Sequence, residues 1–77
     1  MGRPTGLTLR QEVFCLALVD PRMTATGAAR VAGLDAGRSV VATRMAAHRL
    51  LARPDVRDRI AELRARVVAR LNRRRAG

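Results

Sequence analysis

Residues 24–33 read TATGAARVAG, and this stretch decides the fold class. Thr24 is an N-cap residue, whose hydroxyl accepts a free amide from the first turn of a helix. Ala25, Ala28, Ala29 and Ala32 recur at helical spacing and let neighbouring backbones approach, while Thr26 and Arg30 share the outward side. Gly33 fits the C′ position, because glycine enters the left-handed region without penalty. A short helix over about residues 25–32 follows.

On the N-terminal side, Thr8 and Gln11 have the spacing of a capping box. A helix over about 9–19 is expected, burying Leu9, Val13, Leu16 and either Phe14 or Leu18, until Asp20-Pro21 stops it. Residues 1–7, with two Gly and a Pro, read as a flexible arm carrying Arg3. On the C-terminal side a third helix is expected from Ala36 or Gly37 to Ala52, with Asp35 as its cap and Pro54 as its break. Two short helices joined by a tight Gly turn make a helix-turn-helix pattern over residues 8–53, with the third helix in the recognition position.

Pro54 opens a fourth helix at its first position, Asp55 lies beside the positive dipole end, and the helix continues to about Arg73 before a basic tail over 74–77. Val56, Ile60, Leu63, Val67 and Leu71 form one apolar stripe, and Asp55/Arg59 and Glu62/Arg66 are i,i+4 pairs in the favourable order. At about 30 Å this helix outruns a core of short helices, so its far half needs another partner and the stripe is the expected self-association surface. The expected fold class is all-α: a small helical bundle containing a helix-turn-helix, followed by a long C-terminal helix.

The chain has 77 residues, sixteen cations against six acids, and a formal net charge of +10. All sixteen cations are Arg, which excludes a phosphate-loop nucleotidase and a Schiff-base enzyme, since both need Lys. One Cys and one His make neither an internal disulfide nor a tetrahedral zinc site. No cofactor, metal or small-molecule substrate is expected, and no catalytic residue is assigned. Phe14 is the single aromatic, which argues against folds that stack single-stranded bases on ring platforms. Duplex DNA fits better, because guanidinium forks hold phosphates and read guanine edges without rings. The positive charge is concentrated at the end: residues 64–77 hold six Arg and no acid. No apolar stretch approaches the roughly 20 residues of a membrane span and no signal peptide precedes the first helix, so no membrane partner is expected.

Leu7-Thr8 followed by Gln11 and Phe14-Cys15, then Thr24 with Ala28-Ala29-Arg30 and Ala32-Gly33, then Arg49-Leu50-Leu51 with Pro54 and Val56, closing with Ile60-Ala61-Glu62-Leu63, is a familiar succession. It resembles the small subunit of bacteriophage terminase over about residues 7–64. The resemblance implies a non-catalytic, ring-forming protein whose helix-turn-helix region binds the packaging site and hands double-stranded DNA to a large subunit carrying the ATPase and nuclease, in the cytoplasm of the bacterial host. Two features depart from that pattern. The segment between Gly33 and Leu50-Leu51 is about four residues longer, roughly one extra turn. The chain also ends early, so either the fourth helix alone drives assembly or the protein is a reduced version such as those serving gene transfer agents.

The candidate DNA-binding residues are Arg30, Arg38, Ser39, Arg44, Arg49 and Arg53. At 100° steps Arg38, Ser39, Ala42, Ala46, Arg49 and Arg53 share one side of the third helix, where small Ala residues let a backbone approach a groove. Arg44 and His48 form a second polar stripe among Val40, Val41 and Leu51; the first stripe either faces DNA or is simply solvated. Arg70, Arg73, Arg74 and Arg75 are candidates for phosphate or partner contact, or else complement the helix dipole. His48 reads as a surface residue, Cys15 as a small core hydrophobe, and Met23 and Met45 as core fillers. Two other functions fit the composition: a small helix-turn-helix transcriptional repressor, and a protein-interaction module whose fourth helix docks on an acidic partner.

Overall fold

Capping residues set the helix boundaries. A computed structural model describes residues 6–76, which are all-helical with no strand among them: α1 (Leu9–Ala17), α2 (Ala25–Val31), α3 (Val40–Ala52) and α4 (Pro54–Ala76). The Thr8 hydroxyl accepts the Gln11 backbone amide at 3.2 Å while the Gln11 side-chain Oε1 accepts the Thr8 backbone amide at 3.0 Å, closing the capping box. Thr24 Oγ1 accepts the Gly27 amide at 3.0 Å. Behind α2 the Gly33 amide reaches the Arg30 carbonyl and the Leu34 amide reaches the Ala29 carbonyl, with Gly33 at φ +77. This is a Schellman closure, with Leu34 half-buried beside it.

Three boundaries differ from the sequence reading. α1 ends two residues early, because Asp20 organises its own turn: its carboxylate accepts the Arg22 amide at 2.9 Å and its carbonyl the Met23 amide at 3.0 Å. α3 begins at Val40 and not at residue 36 or 37, since Gly37 sits at φ +71, which a right-handed helix does not admit. Ser39, not Asp35, is its cap, accepting the Ala42 amide at 3.1 Å. The connection between α2 and α3 thus spans residues 32–39, longer than the three- or four-residue turn of a compact helix-turn-helix. Finally, Arg74 and Arg75 lie within α4 and not in a separate tail.

α1 packs against α2 and α4, and α3 against α2 and α4. Phe14, Cys15 and Val56 are fully enclosed, with Leu18, Ala28, Ala29, Ala47, Ile60 and Leu63 around them. Leu7, placed in the arm by its sequence, is instead core; Gly6 is exposed, and residues 1–5 of that arm, with Arg3, lie outside the described residues. Leu9 and Leu16 are exposed, contrary to expectation, because seven consecutive apolar residues, 13–19, leave the phase of α1 undetermined and the fold turns Phe14 and Leu18 inward. Met45 is exposed as well and Met23 half-buried. The Thr43 hydroxyl, buried in α3, donates to the Ser39 carbonyl at 2.9 Å.

Polar ties between helices complete the frame. Arg59 on α4 forks onto Glu12 on α1, with Nε 2.9 Å from Oε1, and both side chains are 13% exposed. Arg64 Nη2 donates to the Leu18 carbonyl at 2.9 Å, satisfying the end of α1. The expected Asp55/Arg59 pair does not form, since Arg59 is taken by Glu12 and Asp55 by Arg53. Glu62/Arg66 does form, at 2.8 Å.

Candidate nucleic-acid interface

A basic concavity lies between the start of α1 and the outer face of α3. It is a groove of about 550 Å³. Its floor is made by Ala42, Ala46, Leu34 and Leu50, with Met45 at one edge, and Arg10, Arg38, Arg49 and Arg53 stand around it. The alanines keep the floor low, so an approaching backbone meets guanidinium groups before it meets bulk. Thr8 and Gln11, already engaged in capping α1, form the opposite edge.

Helical spacing alone put Arg38, Ser39, Ala42, Ala46, Arg49 and Arg53 on one side, and the fold gathers all of them but Ser39 at this groove. Arg38 reaches it from the loop and not from the helix. Ser39 does not line the groove, and its hydroxyl is occupied as a cap. Arg30 on α2 and Arg44 on α3 are exposed elsewhere; Arg44 lies about 200° around α3 from Ala42, on the side of Val41 and His48. Arg10 was not singled out by sequence. It belongs here only because of how α1 lies beside α3, which no local pattern encodes.

The four guanidiniums are not equivalent. Arg53 grips Asp55 with Nε 3.1 Å from Oδ1 and Nη2 2.7 Å from Oδ2, and this fork holds the Asp55 carboxyl below its ordinary range. Among the described residues Arg10, Arg38 and Arg49 have no ion pair. Three uncompensated cations therefore border one open surface, the arrangement that draws a polyanion. At this point the chain can be set beside known proteins. It matches no family model, no curated protein and no solved structure.

The residues expected to drive self-association divide in two. Val56, Ile60 and Leu63 lie at 0%, 6% and 7% exposure inside the bundle, so Val56 and Ile60 serve its interior and Leu63 shows only an edge, at the cleft beside Val67. Val67 and Leu71 remain on the surface, as do Arg70, Arg73, Arg74 and Arg75. The Cys15 thiol donates to the Val56 carbonyl at 3.8 Å, and burial, seconded by the Glu12 carboxylate, pushes its pKa up to about 11. It is a protonated core group at neutral pH. No cluster of three or more His, Cys, Asp or Glu able to hold a metal occurs among the described residues, and none of their helices is long and apolar enough to cross a membrane.

Proposed function

We propose that the protein is a non-catalytic DNA-binding adaptor of the small terminase kind, presenting duplex DNA to a large packaging subunit in the bacterial host cytoplasm. The observation that supports this most is the set of unpaired Arg10, Arg38 and Arg49 around an alanine-floored groove. Phosphates of a DNA strand are the natural occupants, with Arg53 adding a fourth donor whose charge Asp55 moderates. Contacts of this type position the duplex and carry little sequence information. Several copies on one duplex combine weak individual contacts into useful affinity.

The test is titration of a labelled duplex against the protein at several salt concentrations. The Arg38→Ala/Arg49→Ala double variant is expected to bind more weakly and to reduce the slope of log affinity against log salt by about 1.8, at about 0.9 per lost phosphate contact. An unchanged slope removes the α1/α3 groove from the DNA surface. Light scattering with and without duplex separates the readings further: an adaptor accumulates in several copies on long DNA, whereas a repressor forms a discrete dimer that prefers a palindromic site.

A further inference from the structure

Away from the DNA groove, the last residues of α1 and the far half of α4 border a second, smaller cleft. Its volume is about 280 Å³ and its walls are Leu16, Val19, Leu63, Val67, Arg66 and Arg70. Leu16 is 52% exposed, Val67 44% and Leu71, one turn beyond, 53%. At 100° per residue Val67 and Leu71 continue the buried stripe of Val56, Ile60 and Leu63 past the point where α1 ends. An apolar strip thus emerges from the core with no described residue over it.

The charge around this strip identifies its occupant. Every described residue from 64 to 75 is exposed, and the segment has six Arg and no acid. Glu62 is already shared by Arg59 and Arg66, and no ion pair among the described residues engages Arg70, Arg73, Arg74 or Arg75. A second copy laid along this half of the helix would bring its own Arg-rich, acid-free segment of residues 64–75 against this one, where Arg70, Arg73, Arg74 and Arg75 have no carboxylate among the described residues to offset them. Like charges so placed repel, most strongly at low salt. A segment with apolar residues on one side and carboxylates beside them meets both demands.

We infer that the Leu16, Val19, Val67 and Leu71 face, rimmed by Arg66 and Arg70, is a docking site for an acidic amphipathic helix of a partner protein. Residues 63 to 71 rise about 12 Å, so a partner helix of about three turns covers the strip. Its Leu or Ile residues at i, i+4 and i+7 enter the cleft, and flanking Glu or Asp pair with the Arg rim. The site attracts negative charge as the DNA groove does, but it adds an apolar cleft and shares no residue with that groove.

The experiment uses the full chain and a fluorescein-labelled synthetic helix of about 14 residues, with Leu at i, i+4, i+7 and i+11 and Glu on either flank, followed by anisotropy. A scrambled peptide of the same composition is the control. The ordered peptide is expected to bind at least about tenfold more tightly than the scrambled one, and the Val67→Glu/Leu71→Glu variant to lose that difference. Both substituted positions are exposed, and an unchanged circular dichroism spectrum verifies the fold. Arg66→Glu/Arg70→Glu is expected to reject the acidic peptide and accept one with Lys in place of Glu, a swap that mere loss of structure cannot produce. Arg38→Ala/Arg49→Ala is expected to leave peptide affinity unchanged, which separates this site from the DNA reading. Equal binding of ordered and scrambled peptides overturns the proposal, as does sedimentation of the free protein as a dimer that Val67→Glu/Leu71→Glu dissociates, since a second copy would then occupy the face.

Discussion

Cys15 shows how one buried side chain colours the behaviour of the whole chain. Its thiol is held protonated by burial, with a pKa of about 11 against an ordinary 9.0. A group whose folded pKa is raised contributes stability that is fully present below the unfolded value and is lost as pH rises through the folded one. The window is therefore about pH 9 to 11. The chain has no Lys and no Tyr, so no other side chain titrates between those limits. Thermal melting temperature is expected to fall across this interval in the native protein and to stay level in Cys15→Ala, whose lower starting stability does not affect the comparison of slopes. A Cys15→Ala curve that falls in parallel with the native one would falsify the assignment.

Each helix is delimited by a local device, and the devices differ in what they cost to replace. Thr8, Thr24 and Ser39 accept amides of their own first turns, while Gly33 closes α2 from the other end at φ +77. A Cβ at Gly33 meets no neighbouring atom, so the penalty of Gly33→Ala is purely conformational. It is expected to be about 1 kcal/mol, read as a lower urea midpoint with an unchanged m-value. A larger loss, or a changed m-value, would mean that the connection over 32–39 holds α2 and α3 together by more than its backbone closure.

The molecule extends 47 Å along its longest axis, and that length comes from a helix whose two halves have different roles. The first half of α4 supplies Val56, Ile60 and Leu63 to the interior and Arg59 to Glu12; beyond Leu63 no described residue is buried. A chain stopped after Arg66 keeps the whole core and the Arg64 bond to the Leu18 carbonyl. Its stability is expected to fall by about 1 kcal/mol or less. Its peptide binding is expected to disappear, while the effect of Arg38→Ala/Arg49→Ala on DNA affinity persists. Global unfolding of the shortened chain, seen by circular dichroism, would place the distal half among the elements that hold the bundle.

The four helices, most of their caps and the break at Pro54 were legible in the chain itself, because a cap is a hydrogen bond between residues three or four apart. The alanine-floored, arginine-lined side of α3 was legible for the same reason: spacing along a helix fixes which residues share a face. Packing decided the rest. The unbroken apolar run 13–19 gives α1 no single apolar side, so only its neighbours choose which residues go inside, and they chose Leu7, Phe14 and Leu18 over Leu9 and Leu16. Arg10 joins the groove, and Arg59 leaves Asp55 for Glu12, through approaches between segments far apart in the chain. Such approaches depend on the shapes of several surfaces at once, and no short stretch of residues contains that information.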